Sequence, residues 1–189
     1  PRRHVVRGQG SFELEQRLSL DVEARIQELV DGEQWLVNLV NWVYIWGHWP
    51  VIITTMVALF WLRNDHYIRL RNAFFISGAI GLLIFALYPV APPRLAELGL
   101  VDTVTLHSHS YRVLQPPGFT NRYAALPSLH AGWNLILAVV VWQAVGRWWV
   151  RAGLVGLATA MSFSVVATAN HFVLDVVAGI ALAVFGLLV

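Results

Sequence analysis

SLHAGWNLILAVVVWQAVGRWWVRAGLVGLATAMSFSVVA, Ser128 to Ala167, holds two apolar runs separated only by Gly146 and Arg147. A helix needs about 20 apolar residues to cross the hydrocarbon core, and backbone in lipid must satisfy its own polar groups. The stretch therefore reads as two spans, Ser128 to Val145 and Trp148 to Ala167, joined by a tight turn. Composition points the same way. The chain is 57% hydrophobic and 13% charged with a mean hydropathy of +0.60, against roughly 45–50% and 25% in soluble domains. Its nine Trp gather at segment ends, as at Trp46, Trp49, Trp61, Trp133, Trp148 and Trp149, where indole favours the headgroup boundary.

Working outward, a further span starts near Asn170 and runs to Val189, and another runs from Ile68 to Tyr88, where the prolines of YPVAPPRL end it. Trp35 to Leu62 is apolar but broken at Gly47, His48 and Pro50. Its length suggests a tilted first span, a turn near Gly47 and a second span ending at Arg63. Residues 1–30 form an N-terminal segment in which Leu14, Leu18, Val22, Ile26 and Leu29 recur at helical spacing over 11–30, the pattern of an amphipathic interfacial helix. The expected architecture is an all-α integral membrane protein of about six transmembrane helices, with residues 31–189 as the membrane domain. Residues 89–123 form its long extramembrane loop, and a loop of that length between packed spans usually has a job.

No cysteine is present, which excludes disulfides and thiolate chemistry. A net charge of +2, scattered along the chain, gives no reason to expect nucleic acid. PRRHVVRGQG is basic but lacks the apolar core of a signal peptide.

Two motifs carry chemistry. YAALPSLHAGW (Tyr123 to Trp133) and ANHFVLDVVAG (Ala169 to Gly179) each set an imidazole at the edge of an apolar segment. Asp175 follows His171 by four residues, so one carboxylate oxygen is expected to hold a ring nitrogen while the other nitrogen faces an electrophile. His130 is positioned to be the second proton-handling group that displacement at phosphorus requires. The layout puts the 89–123 loop, His130 and His171 on one membrane face. Arg63, Arg69, Arg71, Arg147 and Arg151 lie on the other, which the positive-inside tendency makes cytoplasmic, so the site is expected to open outward. A carboxylate inside a span is costly and usually functional. His107 and His109 lack nearby carboxylate partners and read as solvated rather than metal-binding, and His48 beside Pro50 is expected near the outer face, lining the entrance or, more simply, packing in the turn.

PSLHAG (Pro127 to Gly132) and HFVLD (His171 to Asp175) resemble the second and third signature motifs of the type 2 phosphatidic acid phosphatase superfamily. The flanking YPVAPPRL and YAALPSLHAGW are closer to its branch of inositol phosphorylceramide synthase and bacterial relatives. The resemblance implies a helical bundle that works on a phosphorylated lipid in the bilayer, without metal or cofactor. It gives His171 the role of nucleophile forming a phosphohistidine, Asp175 that of orienting it, and His130 that of proton donor and acceptor. Ser128, at a helix start, and Arg94 are the implied phosphate contacts. The family's first motif has a lysine that is missing here, and Ser164-Val165 stands where a Ser-Arg pair is usual. Arg122 is the candidate replacement. Hydrolysis and transfer of a phospho-headgroup both fit this set. A non-catalytic transporter or scaffold with a degenerate fold is the alternative of another class, and the spans disfavour a soluble vanadate-using oxidase.

Overall fold

The computed structural model describes residues 2–107 and 121–189. Among these are nine α-helices: α1 (Arg2–Leu18), α2 (Glu23–Asp31), α3 (Gln34–Trp46), α4 (Trp49–Leu62), α5 (Asn64–Leu87), α6 (Thr103–His107), α7 (Leu129–Ala144), α8 (Trp148–Ala167) and α9 (Val173–Leu188). A 3₁₀ turn spans Pro93–Leu95. The sole β feature among the described residues is a parallel bridge between Val90 and Ala124. His109 and Arg112 lie outside the described residues, as does the side chain of His107.

The two apolar runs first read from the sequence form the helices α7 and α8, and the Arg63 boundary separates α4 from α5. Helices α5 and α8 are each long and apolar enough to cross a membrane. The Trp35–Leu62 stretch corrects the expectation of two spans. Helices α3 and α4 meet at a 43° bend, so together they make a broken rod instead of an antiparallel hairpin. The cause is local: Gly47 still donates its N–H to the Val43 carbonyl at 2.8 Å, and Pro50 sits in the first turn of α4, where a proline costs no helical hydrogen bond. Helices α7 and α9 are shorter apolar helices of 16 residues, roughly 24 Å long at 1.5 Å per residue. Six full-length spans are thus not what the described residues contain.

Helix α7 is the centre of the bundle, touching α4, α5, α8 and α9. Its Ile136, Leu137, Val140 and Val141 pack with Leu70, Ala73 and Phe74 of α5 and with Ala183 of α9. Large apolar side chains point away from this core, among them Trp61, Leu62, Phe75, Leu82, Leu87 and Trp148, as expected where the surrounding solvent is lipid. At one end, Arg63 of the α4–α5 turn donates to the Ala144 carbonyl that closes α7, and Arg151 donates to Val145. At the other end, Ser128 N–H reaches the Asp175 carbonyl at 2.8 Å, so both motifs share one face.

The amphipathic 11–30 segment is not one helix. It breaks between α1 and α2 around Ser19, which has φ +56°, and the two pieces lie over the motif-bearing face. His4 accepts the Ala91 N–H, Arg7 donates to the Pro89 carbonyl, and Gln9 donates to that of Ala96. Gln27 brackets Val101 with two hydrogen bonds. Leu14, Leu18 and Leu29 face outward, while Glu15 and Glu23 are fully buried.

Candidate active site

Close approach of α7 and α9 builds the site. Gly132 and Gly179 face each other across the pair: a Cβ on Gly179 would lie 2.1 Å from the Ser128 oxygen, and one on Gly132 would lie 2.5 Å from that of Gly179. Each glycine follows a motif histidine or aspartate by a few residues, so the bare backbone brings the two motifs together. The His130 and His171 rings lie 6.1 Å apart, centroid to centroid.

Both rings line a cavity of about 400 Å³ together with Arg94, Arg122, Asn170, Tyr44 and His48, and the rest of its lining includes the apolar Trp49, Leu82, Phe85, Leu129 and Trp133. A lining with both cationic and large apolar side chains suits a ligand that has a charged and an apolar part.

His171 is positioned by the main chain. Val90 N–H donates to Tyr123 and Ala125 N–H donates to Val90, pinning the Ala125 carbonyl, which lies 2.8 Å from His171 Nδ1. A carbonyl only accepts, so Nδ1 carries the proton and Nε2 presents a lone pair. Asp175, expected to hold a ring nitrogen, pairs with the ring at longer range. Its Oδ2 is 3.6 Å from Nδ1, an ion-pair distance beyond a good hydrogen bond, and it accepts the Phe172 N–H at 2.8 Å. The physical reason is that His171 precedes the first helical residue of α9, so one-turn helical spacing does not apply, and Asp175 turns back to cap the helix start. The carboxylate nonetheless stays close enough to stabilise positive charge on the ring.

His130 lies in the first turn of α7, stacked on Tyr44 at 4.8 Å and beside His48 at 4.2 Å. Asn134 donates to the His130 carbonyl at 2.9 Å, and its amide nitrogen lies 3.2 Å from His48 Nδ1. His48 Nδ1 is therefore the acceptor and its Nε2 carries the proton. The sequence reading left His48 between the entrance and turn packing, and the bend between α3 and α4 places it in the cavity wall.

Arg94 pairs with Asp102 at 3.2 Å and donates to Asn170, which also accepts from Tyr44 at 3.2 Å. Arg122, in the turn before the second motif, is exposed and lines the same cavity. Ser128 does not line it. The residue is fully buried, and its hydroxyl accepts the Ala131 N–H at 3.5 Å as the cap of α7. Among the described residues no cluster of three or more His, Asp or Glu side chains is arranged to hold a metal ion.

A helical bundle that brings His130 and His171 to one cavity with Arg94 and Arg122, and buries the Asp175 carboxylate beside His171, is the class of protein defined here. The chain belongs to the PAP2 superfamily, whose family model matches residues 11–189. It is 26% identical over 157 residues to the phosphoinositol dihydroceramide synthase of Bacteroides thetaiotaomicron, a match covering 72% of this chain and 50% of that protein. The chain thus spans half the length of that relative. No solved structure shows a significant match.

Proposed function

We propose that this protein is a membrane phosphotransferase or phosphatase for phosphorylated lipids, working through a phosphohistidine at His171. The observation that carries the reading is the pairing of a His171 ring whose Nδ1 meets the Ala125 carbonyl with a second histidine across one cavity. In the first step His171 Nε2 attacks phosphorus, the bond to the departing oxygen breaks, and His130 gives that oxygen a proton. In the second, water or an alcohol attacks the phosphohistidine, His130 takes the proton of the incoming hydroxyl, and His171 is released. Arg94 and Arg122 neutralise the equatorial oxygens. The acyl or prenyl tail lies between Trp49, Leu82 and Trp133.

Within this class, transfer of a phospho-headgroup has one specific support, the synthase name of the relative from Bacteroides thetaiotaomicron. The arginines at the face opposite the site, Arg63, Arg147 and Arg151, favour an extracytoplasmic opening.

The test is incubation of purified full chain in detergent with lipid monophosphates, diphosphates and phosphodiesters, with and without a ceramide acceptor and with and without chelator, beside His171→Ala. Phosphate release denotes hydrolysis, and a new phospholipid denotes transfer. The expected result is turnover by the wild type, unaffected by chelator, and none by His171→Ala. Turnover by the variant removes the nucleophile, and binding without turnover by the wild type leaves a scaffold.

A further inference from the structure

Three consecutive backbone N–H groups at the start of α9 are each taken by a different carboxylate. Phe172 donates to Asp175 at 2.8 Å, Val173 to Glu23 at 3.0 Å, and Leu174 to Glu15 at 2.7 Å. Asp175 is local, but Glu23 and Glu15 arrive from α2 and α1, 150 and 159 residues away in sequence. All three are at most 1% exposed. A helix N-terminus is served by one side-chain cap, and burying two additional carboxylates is costly unless they are paired. The second carboxyl oxygens of Glu15 and Glu23 are buried without a hydrogen-bond partner, so the pair is held in place by its bonds to the start of α9 alone.

We propose that Glu15 and Glu23 are positioning residues of the active site, a buried carboxyl pair that fixes the start of α9 and so aims His171. The proposal rests on the reading of His171 as nucleophile. The arm thereby supplies negative charge behind the ring, where positive charge builds as Nε2 bonds to phosphorus. Burial, and secondarily Glu23 and Asp175, push the Glu15 carboxyl up to about 9, against the opposing effect of the Leu174 N–H. The titratable groups facing it are Glu23 on α2 and Asp175 on α9, with His171 just ahead of them.

A carboxyl whose folded value exceeds its unfolded value takes up a proton on folding. Its contribution is full below about 4.5 and is lost as pH climbs through about 9. Melting of the full chain in detergent, followed from pH 5 to pH 10, is expected to show a decline in the wild type that Glu15→Gln largely removes, since glutamine keeps the acceptor oxygen and needs no proton. Orthovanadate, which mimics the phosphoryl transition state, is the probe of His171. Glu15→Ala is expected to weaken its binding at least ten-fold and Glu15→Gln to restore most of it. Parallel melting profiles for wild type and Glu15→Gln, or unchanged vanadate affinity in Glu15→Ala, overturn the proposal. Vanadate binding that survives His171→Ala overturns the nucleophile instead, and the melting profiles still decide the carboxyl pair.

Discussion

Helices α7 and α9 both begin beside a motif histidine, yet their N-termini are finished in opposite ways. The start of α9 is closed by three carboxyl groups, while α7 has only the neutral Ser128 hydroxyl and presents Leu129 and His130 to the cavity. A helix start carries about half a positive charge. At α9 that charge is covered by acidic groups, which under the proposed mechanism suits a histidine that becomes cationic on bonding to phosphorus. At α7 it is left uncovered by charge, and in the same proposal it faces the substrate anion. The difference teaches that a shared motif element, histidine at a helix start, is given two electrostatic surroundings according to what covers the backbone behind it.

The largest effect that tests this contrast is expected from Asp175→Asn. The amide oxygen still accepts the Phe172 N–H, so the helix start is preserved and only the charge 3.6 Å from His171 Nδ1 is lost. A fall in turnover of about 10³-fold, on the order of 4 kcal/mol of barrier, is expected with the melting temperature little changed. A fall below ten-fold, measured by steady-state kinetics, means that the Ala125 carbonyl alone prepares the ring and that charge at α9 is dispensable.

Next comes the contact that holds the two helix starts together. In Gly179→Ala the added methyl meets the Ser128 oxygen at 2.1 Å, and backbone cannot yield as a flexible side chain does. A loss of about 1–3 kcal/mol of stability is expected, together with slower turnover as the rings move apart. Gly153→Ala and Gly156→Ala, where nothing lies within 4 Å, are the controls and are expected to be neutral or slightly stabilising. Equal melting shifts in all three would show that α7 and α9 tolerate separation.

What could be read from the chain follows the same division. His130, His171 and Asp175 were legible because polar groups at the edges of apolar spans have few bland explanations, and α7 and α8 because Pro127 precedes the first and Gly146 and Arg147 divide the two. Apolar length alone does not distinguish a bent rod from two spans, so the break near Gly47 was legible but its angle was not, and of the two readings of His48 the less favoured, lining the entrance, is nearer to its place in the cavity wall. Glu15 and Glu23 were hidden for a different reason. On an amphipathic helix an acidic residue reads as solvated, and nothing local says that the polar side faces a helix start 150 residues further on. Likewise the Ala125 carbonyl is a backbone group that no side-chain pattern announces. It becomes a ligand of His171 only because Val90 pairs with the segment ahead of the second motif.

The smallest expected effect belongs to Ser128→Ala. A hydroxyl cap contributes about 1 kcal/mol when well formed, and at 3.5 Å from the Ala131 nitrogen this one belongs at the low end of that range. Because the side chain is buried outside the cavity, turnover should stay within a few-fold of wild type and any change should appear in stability. A hundred-fold loss of turnover at unchanged melting temperature would instead put the hydroxyl on the phosphate. The α7 start would then contribute a bond that is aimed at the substrate, not only a partial charge, and the contrast with α9 would rest on recognition as much as on electrostatics.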